Sequence, residues 1–129
     1  LNTIEQEIIN SEKDRIYPIT KTGYFSASCS DVSNSQYEKC TFDVRKYRGT
    51  TIIVNASPNT KGYCTLIGTS TTDIIEQWNT GNIKYLRIPE NATKLYISND
   101  WYDYSDFNIE VPKNKNVNKG FLFYEDFIR

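Results

Sequence analysis

The sequence predicts an all-β chain, an antiparallel jelly-roll β-sandwich carrying one short N-terminal helix. Three observations lead there. Apolar residues alternate with polar ones at period 2 in several short runs, as in half-buried strands. Turn signals recur every ~8–12 residues, the spacing of sandwich strands. Aromatic residues make up 14% of the 129 residues, and helical spacing of apolar positions is confined to the first fourteen. A doubly wound α/β fold would need helices between its strands, and none are legible.

Taken in order, Leu1 to Asp14 places Leu1, Ile4 and Ile8 at helical spacing, with Glu5, Glu7, Glu12 and Lys13 elsewhere. So narrow a stripe suits a coiled-coil seam, and a helix this short is marginal alone in water. Residues 1–15 are therefore expected to form an oligomerisation helix. A helix lying on the sandwich is an equal alternative. Tyr17-Pro18 ends it, because Pro lacks a donor and biases the residue before it to extended backbone. The β module is expected over 16–129.

Within it, Gly23 to Cys29 reads as a first strand, followed by the polar loop Ser30 to Gln36. Tyr37 to Val44 reads as a second strand closed by the compact Arg45-Lys-Tyr-Arg-Gly49. The β-branched run Thr50 to Ala56 reads as a third strand, and Ser57 to Gly62 is a turn. Tyr63 to Ile67 and Asp73 to Trp78 read as the fourth and fifth. Tyr85 to Ile88 stops at Pro89, and Leu95 and Ile97 then alternate with Lys94, Tyr96 and Ser98. Phe107, Ile109 and Val111 alternate again after a polar loop. These last two runs read as antiparallel neighbours in one sheet, with the loop Ser98 to Asp106 exposed at its end. Gly120 to Phe127 reads as a final strand.

Composition removes several classes of function. Fifteen Lys and Arg stand against sixteen Asp and Glu, a net charge of −1 with no basic block, so nucleic acid is not an expected partner. No apolar run reaches the ~18 residues of a membrane span, and the start lacks the pattern of a signal peptide. The chain begins at Leu1 and contains no Met, which reads as a piece or processed product of something longer. With no His, neither a Ser-His-Asp nor a Cys-His system can be assembled, and no phosphate-binding Gly-rich loop occurs. The expectation is a non-enzymatic domain with no cofactor. Cys29, Cys40 and Cys64 lack metal-ligand spacing, so no metal site is expected. Reduced core thiols are the preferred reading, with a Cys29–Cys40 bridge as the alternative. Asn55-Ala-Ser57 and Asn91-Ala-Thr93 match the N-glycosylation pattern, which has meaning only in a eukaryotic secretory setting.

Asp100, Asp103 and Asp106, three residues apart, would suit paired-carboxylate catalysis or Ca²⁺. The spacing lacks the EF-hand glycine and terminal Glu, and solvated turn residues are the commoner use. The constellation of greater interest is Trp101, Tyr102 and Tyr104 flanked by Asn99, Asp100 and Asp103. Sugars stack their C–H faces on aromatic rings while carboxylate and amide groups take the hydroxyls. Trp78, between Gln77 and Asn79, could add a second platform. The alternative is that Trp78 covers a sheet edge and Trp101 packs into the core or a subunit contact.

A resemblance adds to this. Phe42-Asp-Val-Arg-Lys-Tyr-Arg-Gly-Thr-Thr-Ile-Ile-Val54, Gly62-Tyr-Cys-Thr-Leu66 and Ile88-Pro-Glu-Asn-Ala-Thr-Lys-Leu-Tyr-Ile-Ser98 together resemble the galactose-binding-like β-sandwich modules of bacteriophage fibre, tail and baseplate proteins. The residue usage, rich in Asn, Lys, Ile and Tyr, is similar to versions from phages of gut Bacteroidetes. The resemblance covers roughly Gly23 to Val111 and its motifs are structural, so it carries over no ligand residues. It implies a virion location, other virion proteins as partners, a homotrimer joined through the N-terminal coiled coil, and host surface polysaccharide as a target. A carbohydrate-binding module on a bacterial enzyme or surface lipoprotein, extracellular or on the cell surface, is the alternative. So is a purely structural spacer or decoration domain.

Overall fold

The computed structural model describes residues 12–113, and over them the chain is all-β with antiparallel sheets. Eleven strands are formed: β1 Lys13–Ile16, β2 Lys21–Thr22, β3 Tyr24–Phe25, β4 Asp31–Val32, β5 Tyr37–Asp43, β6 Thr51–Asn55, β7 Cys64–Ile67, β8 Ile74–Trp78, β9 Lys84–Arg87, β10 Lys94–Asp100 and β11 Asn108–Pro112. A four-stranded sheet runs β1-β11-β6-β9, a five-stranded sheet β2-β5-β10-β7-β8, and β3 pairs with β4 alone. Apart from the hairpins β7–β8 and β3–β4, each strand in sequence lies in a different sheet from the one before it.

The alternation read from sequence decides which side chains enter the core. Ile52 and Val54 of β6, Leu86 of β9, and Ile109 and Val111 of β11 are buried from one sheet. Cys40 of β5, Cys64 and Leu66 of β7, and Leu95 and Ile97 of β10 are buried from the other, and all ten belong to one apolar cluster. Fully burying an Ile or Leu side chain is worth about 1.5–3 kcal/mol, so this cluster is the main stabilising feature.

Three expectations need correction. The expected helix over 1–15 lies outside the described residues through 11, but Lys13–Ile16, at its far end, form a strand against β11. Pro18 holds the residue before it extended, just beyond the strand, and β11 supplies the ladder partners for these backbone groups. The seam residues Leu1, Ile4 and Ile8 and the last expected strand, Gly120 to Phe127, lie outside the described residues. Second, β10 and β11 are not neighbours: β10 pairs with β5 and β7, and β11 with β1 and β6. The segment between them crosses from one sheet to the other. Third, the strand expected over Gly23 to Cys29 is only Tyr24–Phe25, because the chain turns back through Cys29, whose φ is 65°.

Candidate functional site

β10 runs three residues beyond Ile97, its last apolar position, and the last two of them hold the aromatic loop. Asn99 and Asp100 are both 0% exposed and pair with Glu38 and Tyr37 of β5. Asn99 Oδ1 accepts from the Ser57 N–H at 2.7 Å, and its Nδ2 donates to Glu38 Oε2 and to the Tyr104 carbonyl, both at 2.8 Å. Asp100 Oδ2 accepts from Gln36 Nε2 at 2.9 Å and Asn59 Nδ2 at 2.6 Å, while Oδ1 accepts from the Tyr102 N–H at 3.0 Å. Burial alone would raise the Asp100 carboxyl. These hydrogen bonds outweigh it and hold the group below its ordinary value.

The Asp100 carbonyl accepts from the N–H groups of Asp103 and Tyr104, so the chain makes one tight turn and puts the next two rings outside. Trp101 and Tyr102 stack with centroids 4.1 Å apart and planes 26° from parallel. They are 41% and 68% exposed. Trp101 Nε1 donates to the Ser35 carbonyl at 3.1 Å, which fixes the indole against the segment before β5. Asp103 is exposed beside the pair and Tyr104 is half-buried. Of the seven expected ligand residues, the structure therefore brings Trp101, Tyr102 and Asp103 together at the surface. Asn99 and Asp100 stand behind them with their polar atoms engaged by the chain, so neither faces a ligand.

Trp78 lies elsewhere. It ends β8, the edge strand of the five-stranded sheet, opposite Cys64, and packs against the core cluster. Lys84 Nζ sits 5.2 Å over its ring. A half-buried ring covered on a face by a cation is a poor second platform.

No protein family, curated protein or solved structure matches this chain.

Cys29, Cys40 and Cys64 are free thiols, and burial pushes Cys40 and Cys64 up to about 12. No group of three or more His, Cys, Asp or Glu that could hold a metal occurs among the described residues. Among them, too, no helix is long and apolar enough to cross a membrane. Asn55, in one of the two glycosylation patterns, is buried, and its Nδ2 donates to Asn108 Oδ1 and Glu110 Oε2. Sequence reasoning missed an open cleft of about 530 Å³ beside β3 and β4. Its residues come from five separate stretches of chain, and no local pattern joins them.

Proposed function

We propose that the chain is a non-enzymatic domain of a bacteriophage fibre or tail that contacts a host surface polysaccharide through the Trp101–Tyr102 platform. The observation that carries the reading is that stacked, exposed ring pair, held in place by two buried polar residues. An aromatic surface that is rigid before binding loses little conformational freedom on binding, and its faces suit the C–H faces of pyranose rings. The resemblance of roughly Gly23 to Val111 to phage fibre, tail and baseplate modules supplies the virion setting. The same reading takes the two larger sheets as the layers of a jelly-roll sandwich, supported by the shared core and by the repeated passage of the chain between sheets. Trimerisation through a seam of Leu1, Ile4 and Ile8, ahead of β1, belongs to it as well.

The test is binding of the full chain to an array of bacterial surface polysaccharides, wild type beside Trp101→Ala and Tyr102→Ala. Binding that both variants lose supports recognition through this loop. Equal binding by all three, or by none, removes the platform and leaves a spacer domain. Sedimentation of the chain with and without residues 1–11, which leaves β1 intact, tests the assembly, and a monomer in both cases overturns the trimer.

A further inference from the structure

The outer side of the five-stranded sheet carries a concave surface that shares no lining residue with the aromatic loop. Tyr96 alternates with the core residues Leu95 and Ile97, so its side chain lies on the face away from the core. The β3–β4 hairpin stands over this face. The Phe25 N–H donates to Ser98 Oγ at 2.8 Å, and the Phe25 ring meets Tyr96 edge-on, with centroids 5.0 Å apart. Gly23 permits the approach, since its φ is +116° and a Cβ there would lie 2.5 Å from the Val32 carbonyl oxygen. Between this hairpin and β2 lies the cleft of about 530 Å³, whose lining includes Lys21, Thr22, Asp31, Lys39, Thr41 and Tyr96.

Its charge and shape select a class of ligand. The Lys39 side chain is only 12% exposed, and its ammonium lies 5.7 Å over the Phe25 ring and 3.2 Å from the Asp31 carboxylate. Asp31 is 75% exposed on its side chain. A nearly buried cation thus faces a largely solvated anion, which is the kind of contact a ligand carboxylate can replace or share. An ammonium has three N–H donors, so one carboxylate need not use them all. Lys21 gives the lining two cations against one anion. The hydroxyls of Thr22 and Thr41 add groups that pair with sugar hydroxyls, while the Tyr96 ring, met by Phe25 and with Lys94 Nζ 5.9 Å over it, closes one wall; the volume is within the ~300–1,000 Å³ of small-molecule sites.

We infer that this cleft binds a saccharide bearing a carboxylate, of the uronic acid type, with its acid group on Lys39 and Lys21 and its hydroxyls on Thr22 and Thr41. The inference stands apart from the Trp101–Tyr102 platform, with which the cleft shares no residue.

The experiment is an amide NMR titration of the full chain with digalacturonic acid, beside the neutral digalactose as control. The acidic sugar is expected to shift the amides of Thr22, Thr41 and Tyr96 and to leave those of Trp101 and Tyr102 in place. Lys39→Gln is expected to weaken binding about tenfold, the effect of losing one charge-assisted contact. Trp101→Ala should leave it unchanged. If Lys39→Gln does not fold, Lys21→Gln, at an exposed strand residue, serves in its place with weaker binding and a smaller salt dependence expected. No shifts at millimolar digalacturonic acid, equal shifts with the neutral sugar, or wild-type binding by the folded lysine variants would overturn the inference. Loss of array binding in Trp101→Ala together with an unchanged titration would separate the two sites.

Discussion

Asn59 Nδ2 donates to Asp100 Oδ2 at 2.6 Å, tying the turn after β6 to the end of β10 in the other sheet. Gln36 Nε2 donates to the same oxygen from the segment before β5. One carboxylate therefore joins three stretches of chain at the base of the Trp101–Tyr102 platform.

Removing it leaves donors behind. In Asp100→Ala, Gln36, Asn59 and the Tyr102 N–H all lose their acceptor; these bonds are part-buried, so a loss of about 1 kcal/mol is expected. Asp100→Asn does not restore the site, because its amide can accept only through its one oxygen and would turn its NH₂ towards donors. Urea unfolding followed by tryptophan fluorescence measures both. Wild-type stability in Asp100→Asn would show that the carboxylate does not hold the loop.

The alternation of Leu95 and Ile97 with Lys94 and Tyr96, and the stop at Pro89, were readable because each depends only on near neighbours in sequence. Asn99 and Asp100 read as loop because apolar alternation ends at Ile97. They remain in the strand because polar groups from residues 36, 38, 57 and 59 satisfy them, and such partners leave no local trace. The same reason hid the separation of β10 from β11, since alternation says which face of a strand is buried and not which sheet it joins. The ring pair was legible as a cluster, but its exposure depends on the buried Asp100. Trp78 shows the converse, an aromatic at a strand end that the core and Lys84 cover.

Gly62 lies where β7 approaches β10 and the hairpin. A Cβ at this position would sit 2.7 Å from Ser98 Cβ and 3.1 Å from Tyr24 Cβ. These are atoms close to the backbone and cannot swing aside. Gly62→Ala is expected to destabilise by about 1–3 kcal/mol through overpacking, read as a lower thermal midpoint. Gly62 is not at a positive φ, so left-handed backbone strain does not enter. A wild-type thermal midpoint in Gly62→Ala would show that close packing at Gly62 does not limit the site.

On the acid side, Asp43 titrates at about 2, held down by hydrogen bonds from the Arg45 side chain and N–H. Asp100 is lowered as well. Both ordinary values are 3.8, so as pH falls below this the unfolded chain takes up protons that the folded chain refuses. Stability from these groups is present above pH 3.8 and is lost towards about 2. The Asp43–Arg45 pair is solvent-exposed and contributes little, so Asp100 should dominate. Asp43→Asn should leave most of the acid loss in place. If it abolishes that loss in urea midpoints measured across the range, Asp100 is not the controlling group.

At high pH the sign reverses. Burial raises Cys40 and Cys64 from 9.0 to about 12, and burial beside Asp100 and Asp103 raises Tyr37 from 10.0 to about 12. Each folded group keeps its proton after the unfolded one has released it. The stability that depends on these neutral groups is therefore complete below about pH 9 and lost as pH rises towards 12. The same burial slows thiol chemistry, because the thiolate is the reactive form. At neutral pH a thiol reagent should find the half-buried Cys29 first, with Cys40 and Cys64 reacting only on unfolding. Cys64→Ala removes one titrating group and should flatten the alkaline loss even though it opens a small cavity. Three thiols labelled at one rate in the native protein, or an alkaline midpoint as steep in Cys64→Ala as in wild type, would show that the two thiols are not sealed in the core.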